Sequence, residues 1–537
     1  MSVDLPPIRL TLPEKREQIA QALFPLHRQI DGLYRDLPWP AKIERIVVLT
    51  DILGGRGDIS AAAKVISFMQ SMCPTLMFDW VLKGTRPDYD PRIFLTCEDR
   101  SKIHCRWWGE APPEGAPADF MLTGPVKLAW DIPYIESRIS RKIAGPTFGF
   151  MENGEELATF DEEVLLLRVE KCEAYPTLHA TLFPSKYTNS NHMGLLPMGL
   201  LPGSGVFVDP SRVKAPLSRE YNCPSYLLEL EDGELLSDIV KVMNKGTSFN
   251  FGYAHYPVNW GKYIDCIAIH EQEKDVVLVL NQQGEYAKFS IEQFRDSIFT
   301  PERCAFLKQK GYDKIVLKGD SPESFLLQEG DGRSFTAVVR PFFKPPDVRR
   351  LQLSAERLLA TGDNSAVEAW SARCKLYLYE DIETIGCKWR FLQQQVDLAK
   401  TVSPNLGKLL ALFGGDRRLP DPSLNKPLTP DKMAEMEALL HDPELPRATL
   451  QFCNLITTHY SFYSVLEGAL KRAVWHHCLP ELAPLEATTL DPSFQLGLLT
   501  YLKTGTPPKS PLIITTLPEL GQRIHETVQK NLSSYCR

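Results

Sequence analysis

Short apolar runs alternate with amphipathic segments through most of the first 390 residues. The run at 43–50, IERIVVLT, is followed by a glycine-rich loop at 51–57. An apolar stripe at 61–72 then predicts a helix, and the run at 76–82, LMFDWVL, predicts a second strand. Strand, glycine loop, helix and strand form a βαβ unit, so we expect a parallel sheet.

The same alternation starts again near residue 223. We expect a helix over 346–359 and a loop over 360–365, which opens a further helix. The predicted strands of this second half are 248–254, 275–280, 314–318, 334–340 and 376–379.

Beyond residue 390 the pattern is helical and lacks strand signals. The patterns therefore divide the chain into four segments. These are a leader and helix at 1–42, an α/β segment at 43–222, a second α/β segment at 223–390 and a helical extension at 391–537.

Composition excludes several classes of protein. The chain has 537 residues with 60 Lys+Arg against 67 Asp+Glu, so no basic footprint for nucleic acid covers the whole chain. No apolar run reaches the roughly 20 residues that span a bilayer. The 12 cysteines include no C-x-x-C pair, which argues against a zinc ribbon and a redox dithiol. The polar N-terminus has no apolar signal region, so we expect a cytoplasmic protein, or a bacterial one delivered to a host cell without a Sec signal.

The first candidate motif is the loop after the first predicted strand, with Gly55, Gly57 and Asp58. Three interpretations remain open. Asp58 caps the next helix, or it is a general base at a cleft that the glycines keep open, or the loop binds phosphate. Ser60 replaces the third glycine of a dinucleotide fingerprint, and the Asp58 carboxylate would repel a pyrophosphate.

The second motif is the junction at 361–369, TGDNSAVEA, in the second α/β segment. Asn364 or Ser365 is expected to cap the helix, so that backbone N–H groups beside Asp363 face a ligand. Glu368 lies one turn further along and either closes a capping box or accepts hydrogen bonds from a ribose diol.

Cations end two neighbouring predicted strands of the same segment. Lys318 and Arg340 are expected to converge on the crevice where α/β sheets bind ligands, and there to neutralise a diphosphate. Tyr253, in the sequence FGYAH, ends the segment's first strand and is either a core residue or a contact for a nucleobase or sugar ring. His476, His477 and Cys478 lack metal-ligand spacing and are interpreted as structural.

The sequences Gly57-Asp58-Ile59 and Asp363-Asn364-Ser365 resemble motifs of GT-B glycosyltransferases. The nearest parallel is with the inverting bacterial protein-arginine rhamnosyltransferases. In that resemblance the first α/β segment takes the acceptor and the second binds the nucleotide-sugar donor. Two departures are that Gly55 replaces the acidic residue that such enzymes place before the base, and that Asn364 separates Asp363 from Ser365.

The resemblance implies two facing Rossmann-like domains of GT-B type with a C-terminal helical extension. It implies a transferase with Asp58 as general base, without metal or cofactor, acting on a nucleotide sugar and on a protein or small-molecule acceptor. Nucleic acid is not an expected partner. Two alternatives remain open, namely an epimerase-like enzyme that processes nucleotide sugars on the same fold, and a non-catalytic interaction or effector protein. The expected donor-binding residues are Tyr253, Lys318, Arg340, Asp363, Asn364, Ser365 and Glu368.

Overall fold

A computed structural model of the chain divides into two compact units. Unit 1 comprises Met1–Phe207 and Ser461–Arg537, and unit 2 comprises Val208–Tyr460. The residues that the structure describes are 25, 28–52, 56–87, 89–113, 115, 117–125, 132–151, 192–197, 199–201, 203–215, 226–244, 246–282, 290–319, 324–341, 343–381, 389–489, 492–504 and 516–535.

Unit 1 is built on a six-stranded sheet with the order β3-β2-β1-β4-β5-β6, and every neighbouring pair is parallel. This is the doubly wound order of the Rossmann fold. The strands are β1 (Arg45–Ile52), β2 (Met77–Gly84), β3 (Ile103–Trp107), β4 (Phe120–Thr123), β5 (Thr147–Met151) and β6 (His192–Pro197).

Apolar helix faces cover both sides of this sheet. One side packs against the helices Arg56–Met72 and Phe462–Cys478 through residues such as Ile66 and Leu466, and the other against the helix Ile132–Ile139. The further helical segments of the unit are 28–35, Pro91–Phe94, Leu482–Thr489, Pro492–Thr504 and Leu517–Tyr535.

Unit 2 contains a seven-stranded sheet with the order β10-β9-β11-β8-β7-β12-β13. All pairs are parallel except β10, which runs antiparallel to β9 at the edge. The strands are β7 (Thr247–Ala254), β8 (Asp275–Gln282), β9 (Tyr312–Lys318), β10 (Ser324–Gln328), β11 (Arg333–Arg340), β12 (Arg357–Thr361) and β13 (Leu376–Glu380).

Helices surround this second sheet. A cluster of aromatic rings around Trp370 joins the helix Asp363–Ala372 to strand β13 and to helices near residues 391 and 452. The helices of the unit are Pro210–Lys214, Leu227–Glu229, Gly233–Val240, Pro257–His270, Ile291–Ile298, Pro301–Gln309, Pro345–Ser354, Asp363–Ala372, Trp389–Val402, Pro404–Gly414, Pro430–Leu440 and Leu445–His459.

The predicted α/β class with two Rossmann-like sheets is confirmed, whereas the helix predicted over 346–359 is wrong in its second half. That helix ends at Ser354, and Arg357–Thr361 forms strand β12. The apolar residues of β12 continue the helical spacing of the segment before it. All five side chains of β12 are nevertheless buried, and the strand lies between β7 and β13 in the sheet. Membership of the sheet decides the conformation of so short an apolar run. The apolar run at 164–169, which also predicts a strand, lies outside the described residues.

The helices after residue 390 do not form a separate extension. Those up to residue 460 belong to unit 2, and those from residue 461 belong to unit 1. The first α/β segment also ends earlier than predicted, since the chain enters unit 2 at Val208 rather than at residue 223. These assignments depend on which core each amphipathic helix covers, and no local pattern encodes that choice. In the described part of the chain, no helix has the length and apolar character needed to cross a membrane.

Each sheet has a topological switch point, where successive connections leave the sheet in opposite directions. In unit 1 it lies between β1 and β4, and in unit 2 between β7 and β12. Open α/β sheets bind ligands in the crevice outside the carboxyl ends of the strands at such points. Asp58 and Asp363 lie in the first turns of the helices that follow β1 and β12 at these two places.

Candidate functional site

Asp58 lies at the switch point of unit 1. The helix after β1 begins at Arg56, five residues before the predicted start, so Asp58 stands in its first turn and is not the cap that precedes it. The side chain is buried, with 7% of the residue's surface exposed. A carboxylate in this position interacts favourably with the positive end of the helix.

The turn that carries Asp58 has open space at Gly57 and follows a strand that ends in an ion pair. A Cβ atom added at Gly57 would meet no atom within 4 Å, so the backbone is accessible there. At the end of β1, the Asp51 carboxylate accepts a hydrogen bond from Lys83 on β2 at 2.5 Å. The sequence interpretation passed over this ion pair, although an acidic residue at the end of a predicted buried strand is a visible signal. Gly55 lies outside the described residues.

In unit 2, the helix Asp363–Ala372 begins directly after β12 at the switch point. The residue before it is Gly362, whose φ of 74° favours glycine and which offers no side-chain cap. The predicted caps Asn364 and Ser365 are therefore wrong, because both residues lie inside the first turn. The backbone N–H groups of this turn have no side-chain cap from Gly362, as an anion-binding helix start requires.

Glu368 does not close a capping box, because it lies in the second turn of this helix. Its carboxylate accepts a hydrogen bond from Asn364 Nδ2 at 3.1 Å and one from Gln352 Nε2 at 3.5 Å. Arg212 forms an ion pair with it at 3.6 Å. These contacts join the helix to the segment that leads into unit 2. The buried Asp363 side chain stands one turn before Glu368, at the helix start itself.

Lys318 and Arg340 converge, as cations at the ends of neighbouring strands should. Both interact with the Asp238 carboxylate, Lys318 at 3.4 Å and Arg340 at 2.7 Å. Arg340 also donates to the carbonyl oxygen of Gly319. One carboxylate thus compensates part of the charge of the two cations, and Gly319 draws the Arg340 guanidinium towards β9.

The two clusters of unit 2 lie apart along the edge of the sheet. Strand β11, which carries Arg340, is three positions from β12 in the sheet order. At about 4.8 Å per strand, the axes of β11 and β12 are about 14 Å apart. The predicted donor residues therefore belong to two groups at different positions along the edge of the sheet.

Tyr253 is the second-last residue of β7, on the other side of the switch point. Its hydroxyl group forms a hydrogen bond with His255 Nε2 at 3.0 Å. Burial lowers the pKa of His255, so its imidazole is neutral near pH 7. Gly252, which precedes Tyr253, packs so closely that an added Cβ would lie 2.9 Å from both Leu280 and Tyr263. The glycine is therefore required by the core and leaves no room there for a ligand ring.

Glu380, at the carboxyl end of β13, was missed by the sequence interpretation. It is 1% exposed and accepts hydrogen bonds from the backbone N–H of His255 at 2.6 Å and of Tyr256 at 2.9 Å. Asn259 Nδ2 donates to it as well, at 2.8 Å. Burial raises the pKa of Glu380, and these hydrogen bonds oppose the rise. An acidic residue that ends a buried strand, in LYLYE, is the signal that could have identified it.

His476 belongs to a buried network in unit 1, which we call the Glu486 cluster, whereas the neighbouring His477 is exposed. Glu486 accepts hydrogen bonds from Tyr34 at 2.5 Å and from Arg472 at 2.5 and 3.1 Å. His476 Nε2 lies 2.8 Å from the same carboxylate, and Arg472 also pairs with Asp31 at 3.4 Å. These contacts join helix 28–35 to the C-terminal helices. Among the described residues, no group of three or more His, Cys, Asp and Glu side chains could hold a metal ion.

The fold and its two switch points define a protein of the doubly wound α/β class, with a buried carboxylate at one switch point and a helix start without side-chain cap at the other. A family profile described as "Protein of unknown function (DUF562)" matches residues 259–402, which lie within unit 2. The search of curated protein sequences gives no match.

Solved structures similar to the chain include three glycosyltransferases. A UGT transferase from Siraitia grosvenorii in complex with UDP is 10% identical, with 80% of this chain and 99% of that chain covered and a TM-score of 0.40. A glycosyltransferase from Rickettsia africae ESF-5 is 9% identical, with 81% and 99% covered and a TM-score of 0.39. A structure on EarP-mediated arginine glycosylation of translation elongation factor EF-P is 13% identical, with 80% and 97% covered and a TM-score of 0.33.

Proposed function

We propose that the protein is a glycosyltransferase that moves a sugar from a nucleotide-sugar donor to a protein or small-molecule acceptor. The observation that carries the proposal is the start of the Asp363–Ala372 helix. It lies at the carboxyl end of β12 at a switch point, with positive φ at Gly362 and no side-chain cap. This arrangement offers backbone N–H groups and the positive helix end to a diphosphate.

The donor would be held in unit 2 by groups around this helix start. The N–H groups near Asn364 and Ser365 would bind the diphosphate, and the buried Asp363 carboxylate would accept hydrogen bonds from sugar or ribose hydroxyl groups. Tyr253, across the switch point, would contact the base or the sugar. Lys318 and Arg340 would attract the anionic donor towards this edge of the sheet.

The acceptor would be activated in unit 1. Asp58 is buried in the first turn of the helix after β1, beside open space at Gly57. As general base it would remove a proton from the acceptor nucleophile while that nucleophile attacks the anomeric carbon. Such a base contributes roughly 10²- to 10⁴-fold to the rate. The bond from the anomeric carbon to the diphosphate oxygen breaks in the same step, and the nucleoside diphosphate leaves with its charge held by the helix N–H groups.

The first experiment is a thermal-shift panel with UDP-glucose, UDP-N-acetylglucosamine, GDP-mannose and dTDP-rhamnose, together with UDP, GDP and dTDP. We expect at least one nucleotide to raise the melting temperature, since a ligand at 100 times its dissociation constant stabilises by about 2.7 kcal/mol. Asp363→Ala should weaken that shift. Absence of a shift with every compound would refute the proposed donor site.

The second experiment tests Asp58. Asp58→Asn should bind the donor with unchanged affinity in calorimetry and should lose at least 100-fold in transfer, measured as release of nucleoside diphosphate in the presence of acceptor proteins from a cell extract. Glu44→Gln, an exposed change in the same unit, is the control. Full activity of Asp58→Asn would rule out its role as base. Mass spectrometry of the donor products separates transfer from an epimerase-like reaction, which consumes the donor without any acceptor.

A further inference from the structure

Glu380 links three strand ends around the switch point of unit 2. It ends β13, and its carboxylate accepts the backbone N–H groups of His255 and Tyr256, just beyond the end of β7. Strand β12 lies between these two strands. The hydroxyl group of Thr361, the last residue of β12, donates to the backbone oxygen of Glu380 at 3.4 Å. One residue thus connects the ends of β7, β12 and β13.

The Glu380 carboxylate also replaces a missing helix cap. The helix Pro257–His270 is preceded by Tyr256, whose side chain makes no cap hydrogen bond. Glu380 reaches this helix start from another strand, and Asn259 in the first turn donates to it at 2.8 Å. A buried carboxylate at this position satisfies donors that would otherwise remain unpaired and interacts favourably with the helix dipole.

The negative charge of Glu380 interacts with the positive charge of the buried Lys262. Lys262, one turn further along the same helix, is buried, and its ammonium group donates to the carbonyl oxygen of Phe413 at 2.8 Å. Burial lowers the pKa of Lys262 to about 8, and the negative charge of Glu380 opposes this effect. The Glu380 carboxylate is 1% exposed. Its negative charge is therefore buried beneath the strand ends, together with a positive charge that compensates it.

We infer that Glu380 is a positioning residue for nucleotide binding, which fixes the segment from Tyr253 to Tyr256 against the start of the Asp363–Ala372 helix. It does not touch the ligand itself, because its two oxygens are occupied by His255, Tyr256 and Asn259. This inference rests on the proposed function and deepens it. It identifies the residue that holds the two sides of the switch point together.

The test combines binding with local hydrogen exchange. Glu380→Gln keeps the shape of the side chain, but its amide nitrogen cannot accept hydrogen bonds and faces backbone donors. We expect the affinity for the nucleoside diphosphate that binds best among UDP, GDP and dTDP to fall at least tenfold in calorimetry. Amide exchange should increase in the segment 253–259. Glu356→Gln is the matched control, because Glu356 is a buried, ion-paired carboxylate at the opposite end of the same sheet.

A milder variant covers the case in which Glu380→Gln does not fold. Asn259→Ala removes one contact to Glu380, and it should weaken binding about three- to fivefold with faster exchange in the same segment. If the variant that folds has the nucleotide affinity and the amide exchange of the wild-type protein, the inference about Glu380 is wrong, whereas the proposed donor site is unaffected. If the wild-type protein binds none of the three nucleotides, the proposed function fails, and the assigned role of Glu380 fails with it.

Discussion

The Glu486 cluster supports a quantitative prediction about stability. We consider Glu486→Gln, which removes one negative charge and nearly preserves volume. Glu486 is 1% exposed. Burial alone would raise its pKa, but Arg472 and His476 outweigh burial and lower the pKa from 4.5 to about 2. At about 1.4 kcal/mol per pH unit, this difference corresponds to about 3 kcal/mol of folding free energy.

The sign of the pH dependence follows from the lowered pKa. An unfolded chain protonates Glu486 near pH 4.5, whereas the folded chain holds the charge down to about pH 2. The stabilisation is therefore complete above pH 4.5 and is lost as the pH falls from 4.5 to 2. Glu486→Gln should lower the unfolding free energy of unit 1 by about 3 kcal/mol at pH 7, and by progressively less below pH 4.5.

Urea unfolding of the full chain, followed by circular dichroism and tryptophan fluorescence, measures this effect. The two units are expected to unfold in separate transitions, so the midpoint of the transition that shifts identifies unit 1. Glu481→Gln is the control, because Glu481 lies just before the same helix and is exposed. Substitutions at the surface, away from buried networks, usually change the free energy of unfolding by no more than about 0.5 kcal/mol. If Glu486→Gln changes it by no more than that at pH 7, the reasoning is contradicted.

Two further predictions concern buried positions of unit 2. Burial lowers the pKa of Lys262 to about 8, so its charged ammonium group destabilises the folded state below that pH. Lys262→Met removes this destabilisation but also removes one hydrogen bond. The free energy of unfolding at pH 7 should therefore rise by about 2 kcal/mol. The wild-type protein itself should gain about 3 kcal/mol of stability between pH 8 and 10.5, as thermal unfolding at several pH values will show. A less stable Lys262→Met protein at pH 7 would contradict the prediction. Gly252→Ala should destabilise by about 1–3 kcal/mol, because its Cβ would press on Leu280 and Tyr263. Gly57→Ala, whose Cβ meets nothing, should stay within about 0.5 kcal/mol of wild type by the same urea assay.

Part of the candidate site could be read from the sequence because its signals are local. A buried apolar run, a glycine-rich turn and a carboxylate predict the βα turn of Asp58, and the structure has that turn with a helix that starts at Arg56. The TGDNSAVEA junction was recognised as a loop-to-helix transition, although its caps were assigned wrongly. Strand β12 was missed because its short apolar run, at 358–360, fits either a helix stripe or a buried strand.

Other parts of the site depend on residues far apart in the chain. Glu380 contacts His255 across 125 positions, and no local pattern relates the two residues. Asp238 compensates Lys318 and Arg340 from a helix 80 or more positions earlier. The role of Gly252 in the core was likewise hidden, because Tyr263 and Leu280 approach it only in the folded sheet.

The sequence alone determined the α/β class, the positions of most strands and the two turns that carry Asp58 and Asp363, because hydrophobic period and turn chemistry act within a few residues. The tertiary structure decided the order of the strands, the place of β12 and the division of the C-terminal helices between the two units. It also decided which charges are paired in the interior. These features follow from burial and from hydrogen bonds between distant residues, and their free energy exists only once the chain has folded.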